Sequence, residues 1–237
     1  MTHNKAAFTL AEVLITLGII GVVAALTIPG LMTAYKAHRL RSQFLKSYST
    51  VQQVFKQMEA DDVSLDPTTY SGGTMHTLFL KYLKGTIDCG KGNNATSKKF
   101  KPCYDVKNTT KQLWYKSIDG NSRIGSELID DGQIVLSDGS LLLFENPNTT
   151  PDSYRVWVLV DLNGADNPPN ILGYDLFTFE FLDGELRTMG DLQTKYNNID
   201  KYCNFEKDSD VYNGIACAKL AKENPDYFKF VLKNVHR

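Results

Sequence analysis

From residue 8 to residue 31 the chain carries one charged side chain, Glu12, and from residue 13 to residue 28 it is almost unbroken apolar sequence. At about 1.5 Å of rise per residue, a helix of this length crosses a hydrocarbon layer of about 30 Å. A carboxylate in such a segment costs roughly 2.5–3.5 kcal/mol on insertion scales, so it needs a partner and a role. A short polar leader, residues 1–7, precedes the segment and carries Lys5.

Three readings of this segment compete. An ordinary secretory signal would be cut after Ala25, where Val23-Ala24-Ala25 is a passable small-residue site. A plain signal anchor would hold a soluble domain at the membrane. Both leave Glu12 unexplained. The third reading uses every oddity of the segment. Phe8-Thr9-Leu10-Ala11-Glu12 follows a leader with one lysine, and Gly18, Gly21 and Pro29 punctuate the apolar run after it. This pattern resembles the prepilin signal of type IV pilins and type II secretion pseudopilins.

The resemblance implies processing. A prepilin peptidase would cut between Ala7 and Phe8 and methylate the new amino group, with Lys5, Ala7 and Phe8 specifying the step. The family usually has Gly before the cut, where this chain has Ala7. The resemblance also makes Glu12 an assembly residue, neutralising the Phe8 amine of a neighbouring subunit as helices stack. The physics is sound, because an opposite charge removes much of the cost of a carboxylate in hydrocarbon. The plainer alternative for Glu12 is snorkelling to the interface near the helix start. Pro29 removes a helix hydrogen bond, so a kink or break is expected near residues 25–29. Its plainer role is to mark the membrane exit.

The partners implied are the prepilin peptidase, sibling pilins or pseudopilins, a platform membrane protein, an assembly ATPase acting through it, and membrane lipid. The implied location is a single pass through the cytoplasmic membrane, with the globular domain outside the cytoplasm in a periplasmic or cell-surface filament. Lys5 lies on one side of the apolar run and Lys36, Arg39 and Arg41 on the other, so basic residues alone do not orient it.

Beyond Pro29, Phe44, Tyr48, Val51, Phe55 and Met58 recur at intervals of four and three, an apolar stripe at helical period. The stripe covers about two heptads, which favours packing on the protein's own sheet over a coiled coil. The helix is expected to end near Ala60, and a second short helix to cover residues 77–83. Residues 84–111 are rich in Gly, Asn and Lys and read as loop. Their lysines could form a nucleic-acid patch, although charged loops are ordinarily solvated surface. A strong hairpin signal follows, with strands over 133–137 and 140–144 about Asp138-Gly139. Residues 155–161 predict a further strand, and 175–182 with 185–187 a second hairpin. Residues 215–223 and 225–233 look helical.

The expected fold is α+β and pilin-like: a long N-terminal helix packed on an antiparallel sheet, with a disulfide-bonded C-terminal region. The expected divisions are a leader (1–7), a transmembrane or filament-core helix (8–31), its amphipathic continuation (32–60) and an extracytoplasmic globular domain (61–237).

The net charge of −1 gives no global drive toward nucleic acid or anionic lipid. The four cysteines fall in two equally spaced pairs. If the domain lies outside the cytoplasm, two local disulfides, Cys89–Cys103 and Cys203–Cys217, are the natural reading among three connectivities, because each pair brackets a polar stretch. Four unrelated buried thiols are the alternative. Zinc spacing is lacking.

The segment 160–175 is rich in oxygen ligands. Asp161, Asn163, Asp166 and Asp175 could converge on calcium, the one cofactor the sequence suggests. The loop resembles those of many pilin-like proteins, and major pseudopilins bind calcium in a comparable one. However, the bidentate Glu of an EF-hand is missing, since Leu172 holds that position. A rigid Asx- and Pro-turn connector is the competing reading.

The chain has no Gly-rich phosphate loop after a strand, no Gly-x-Ser-x-Gly elbow and no paired-His metal motif, so nothing recommends an enzyme. The expected function is a structural filament subunit. The rival from another class is an anchored or secreted binding or adhesin domain.

Overall fold

The computed structural model describes residues 9–66, 69, 74–92, 102–107, 111–146, 155–182, 184–206 and 210–235. The processing residues Lys5, Ala7 and Phe8 lie outside them, as do Lys98, Lys99 and Lys101 of the basic loop.

Helix α1 (Leu10–Ala60) is a single element. It begins at Thr9, whose hydroxyl caps the backbone of Glu12, and closes where Asp62 enters the left-handed region (φ 54°). There the Val63 N–H reaches the Met58 carbonyl at 2.9 Å, a Schellman-type stop. The break expected near residues 25–29 is absent, and the helix passes through Pro29. One missing N–H leaves the ladder intact on either side.

Among the described residues six strands follow in meander order, every neighbouring pair antiparallel: β1 (Ile87–Gly90), β2 (Gly132–Val135), β3 (Leu141–Glu145), β4 (Val156–Asp161), β5 (Leu176–Leu182) and β6 (Glu185–Thr188). Five of these carry the expected pattern. Strand β1 lies in the stretch expected as loop. It is four residues long, pairs at the sheet edge and is bulged between Asp88 and Gly90. Only its Cys89 is fully buried, so periodicity had nothing to register.

Strands β3, β4 and β5 read Leu-Leu-Leu-Phe, Val-Trp-Val-Leu-Val and Leu-Phe-Thr-Phe-Glu-Phe. Such near-continuous apolar runs mean burial on both faces, where a one-sided sheet would alternate apolar and polar. On one face Leu142, Phe144, Val158, Phe177 and Phe179 share a core with α1. On the other, Leu141, Leu143, Trp157, Leu159 and Leu176 pack under a layer of loops with Tyr115, Ile124 and Met189.

The stripe on α1 docks on the first face. Phe44 meets Phe177 at 4.8 Å and Phe179 at 5.6 Å, edge to face, and Phe55 stacks on Phe181 at 4.1 Å. Tyr48 donates from its hydroxyl to the Leu186 carbonyl at 2.7 Å. Helix α2 (Met75–Tyr82) closes the same core through Phe79. A short turn of helix, α3 (Ile199–Tyr202), leads to α4 (Cys217–Glu223) and α5 (Tyr227–Asn234), which brace α1.

The two disulfides join neighbours in sequence, Cys89 to Cys103 and Cys203 to Cys217, with Cα atoms 5.6 and 5.0 Å apart. The first ties edge strand β1 to the segment after it, and the second ties the end of α3 to the start of α4. Each closes a local loop, which in the chain-entropy model contributes about 3 kcal/mol by restricting the unfolded chain.

Candidate functional site

The first half of α1 is a bare apolar rod. Leu10 is 78% exposed, Leu26 77% and Leu31 72%, and none of residues 10–36 is buried. In water this surface would be unsupported; it belongs in lipid or against other helices. The polar side chains along it are closed off within the helix. The hydroxyls of Thr16, Thr27 and Thr33 donate to the carbonyls of Glu12, Val23 and Pro29 at 2.9, 2.9 and 3.0 Å. Internal satisfaction of this kind is what an apolar environment demands.

Glu12 is held in a capping box. Its carboxylate accepts from the Thr9 backbone N–H and hydroxyl, both at 2.8 Å, while its own N–H donates to the Thr9 hydroxyl at 3.3 Å. The box sits at the positive end of the helix dipole, which favours a negative charge there. Glu12 thus has a local anchor, and its exposed side chain keeps acceptor capacity for a cation from outside. A Cβ at Gly18, Gly21 or Gly30 would meet nothing within 4 Å, so no contact inside this chain calls for glycine there.

A helix long and apolar enough to cross a membrane, bare along its first half and packed on an antiparallel sheet along its second, defines a pilin-like architecture. Residues 2–28 match the family model described as a prokaryotic N-terminal methylation motif. This match supports a prepilin-type signal of the type IV pilin and pseudopilin kind, read by prepilin peptidase, at the start of a helix whose length and apolar surface fit membrane anchoring of a globular domain. No curated protein and no solved structure matches the chain as a whole.

The four oxygen-bearing residues of the β4–β5 connection fall unequally. Asp161 and Asp175 are fully buried, while Asn163 and Asp166 are partly exposed. One Asp161 oxygen accepts the Tyr115 hydroxyl at 2.8 Å, and the other accepts the N–H groups of Asn163 at 3.1 Å and Gly164 at 2.9 Å. Asp175 accepts the N–H groups of Asn170 at 3.0 Å and Ile171 at 2.7 Å. The Asp161 bonds to Asn163 and Gly164 are Asx-type, those of Asp175 reach back along the chain, and together they fix the loop from inside. Asn170, in the left-handed region (φ 57°), adds side-chain donation to the Ala165 carbonyl at 2.8 Å. Among the described residues no three His, Cys, Asp or Glu side chains are grouped to hold a metal ion. The two buried carboxylates spend their oxygens on protein donors, the arrangement of a rigid connector.

Tyr115 is the member of this cluster that the sequence did not announce; it lies 46 residues before Asp161 in a stretch without periodicity. Thr9 was not singled out from the sequence either, although the Thr-x-x-Glu spacing of a capping box was there to find it.

Burial raises the pKa of both Asp161 and Asp175, and the charge of Asp161 raises that of Asp175 further. Asp161, with three donors, is raised less than Asp175, which has two and faces the Asp161 charge. Glu145 at the end of β3 is pushed up to about 8 by burial and by the charges of Asp131 and Asp130. These carboxyls bind protons in the folded chain that the unfolded chain has already released, so stability falls as pH rises. The expected result is a lower urea midpoint for the full chain in detergent at pH 8 than at pH 5. The loss is up to about 1.4 kcal/mol per pH unit for each fully retained proton. A midpoint that is flat or rises over that window would contradict the assignment.

Proposed function

We propose that this chain is a structural, non-enzymatic subunit of a type IV pilus or type II secretion pseudopilus. It is cut between Ala7 and Phe8, held in the cytoplasmic membrane with its globular domain outside the cytoplasm, and drawn into a filament by its helix. The platform protein and assembly ATPase of such systems would act on it. The observation that carries this reading is the bare apolar half of α1 with one carboxylate at its start, joined to the prepilin motif. An adhesin or ligand-binding domain would need the anchor but not the carboxylate.

In the filament, Glu12 would turn its free acceptor capacity to the Phe8 amine of a neighbour, with Gly18, Gly21 and Pro29 shaping the helix surface between subunits. Open space over both glycines suits close approach by another helix.

Intact mass and N-terminal sequencing of the mature protein test the processing: a chain beginning at methylated Phe8 supports it, and one beginning at Leu26 overturns it. Assembly is tested by two variants. Glu12→Gln keeps an acceptor for the capping box and removes the charge, whereas Glu12→Ala removes both. Both variants are expected to insert in the membrane like wild type and to be missing from sheared filaments. Wild-type levels of Glu12→Gln in filaments would mean that the capping bond, not the charge, is what Glu12 supplies.

A further inference from the structure

Where α1 leaves its bare apolar half, a cleft of about 340 Å³ opens between the helix, the β4–β5 connection and α5. Its helix wall is one stripe, Lys36, Arg39, Leu40 and Gln43, and its opposite wall includes Asn163 and Asn167. Lys36 and Arg39 are exposed, and among the described residues neither has a hydrogen-bond or ion-pair partner. The one acidic residue lining the cleft, Asp175, turns its carboxyl oxygens to the Asn170 and Ile171 N–H groups. Two unpaired cations therefore share a recess with no free opposing carboxylate among its lining residues.

The height of this recess decides what it can meet. From Leu10 to Leu31 the helix rises roughly 32 Å at about 1.5 Å per residue, the thickness of the hydrocarbon layer. The backbone of Lys36 and Arg39 then lies about 7–12 Å beyond, at and just outside the outer edge of a headgroup layer about 5–7 Å deep, from where their long side chains reach back to the phosphate groups of the leaflet next to the globular domain. Arginine and lysine suit phosphate oxygens, the first by its fork of donors and the second as a point charge. Leu40 and Leu232 offer an apolar rim on the side of the glycerol backbone.

We propose that this cleft binds the headgroup phosphate of an anionic phospholipid through Lys36 and Arg39, fixing the height and tilt of the globular domain over the bilayer before the subunit enters a filament. The proposal rests on the membrane-anchor reading of α1, and its test separates the two.

The full chain is purified in mild detergent, given phosphatidylglycerol or phosphatidylcholine, and examined by native mass spectrometry for retained lipid. Wild type is expected to retain one phosphatidylglycerol in preference to phosphatidylcholine. Lys36→Gln with Arg39→Gln should weaken retention about 10- to 30-fold, from roughly 1 kcal/mol for each basic residue at a membrane surface. Asn167→Trp, which fills the cleft and removes no charge, should weaken it as well. Loss in the charge variant alone would mean diffuse attraction and overturn the cleft. Equal retention in all three proteins would overturn the proposal outright, and competition by millimolar inorganic phosphate would make the ligand a free anion. Flotation with phosphatidylcholine vesicles reports on the anchor alone: wild type and the charge variant should both float, and failure of both would count against the membrane reading instead.

Discussion

Phe44→Ala is expected to destabilise the globular domain by about 3–5 kcal/mol, the usual cost of emptying a buried aromatic site. Phe44 is fully buried and is one of the rings through which α1 meets the sheet, touching Phe177, Phe179 and Phe228 at centroid distances of 4.8, 5.6 and 6.0 Å. Those neighbours sit on strand β5 and helix α5, both fixed by other contacts, so they cannot collapse into the space, and the cavity term adds to the transfer term. For a domain stable by 5–15 kcal/mol this is a large fraction of the whole. Urea unfolding of the full chain in detergent, followed by the fluorescence of buried Trp157, measures it. Leu31→Ala on the same helix removes an exposed side chain and should change the domain by no more than about 0.5 kcal/mol. Similar small effects for both substitutions would show that α1 is not docked through Phe44.

Glu180→Ala should cost a comparable amount, about 3–5 kcal/mol, for an electrostatic reason. Glu180 is fully buried on the loop-covered face of β5. It accepts from the Arg155 guanidinium at 3.0 Å, the Trp157 indole N–H at 2.8 Å and the Lys195 backbone N–H at 3.0 Å. Register places Trp157 directly across the β4–β5 ladder from it. Removing the carboxylate strands the buried Trp157 indole N–H and takes the counter-charge from the partly buried Arg155, and an unmet buried donor costs more than the bond itself contributed. Adding Arg155→Ala to Glu180→Ala should recover part of the loss, because the orphaned charge goes with it. A Glu180→Ala cost below about 1 kcal/mol, or no recovery in the double variant, would show that the carboxylate is not the acceptor at the centre of this face.

The anchor and the hairpins were legible because their signals are local. The apolar run with Glu12 and the spacing of Phe44, Tyr48, Val51, Phe55 and Met58 need only neighbours a few residues away, and α1 follows both. The Asp138-Gly139 turn was equally plain: Gly139 adopts φ 86° and the strands meet from Val135 with Leu141 onward. The pairing of cysteines at short equal spacing likewise needed no distant information. Helix α2 lies within two residues of its expected start, the ordinary uncertainty of helix ends.

By itself the sequence determined a membrane-length helix with a prepilin signal, an amphipathic continuation and an antiparallel sheet, because periodicity and turn chemistry act within one element. Only the tertiary structure decided the rest. It showed that the sheet is buried on both faces, that edge strand β1 exists, and that α1 runs through Pro29. It also showed that Asp161 answers to Tyr115, Glu180 to Arg155 and Trp157, and that Lys36 and Arg39 share a recess with the β4–β5 connection. Each of these depends on contacts between residues far apart in the chain or on packing around a whole element. Such contacts leave no mark in a short window, since the same Asp or Lys reads alike in a solvated loop and in a buried cluster.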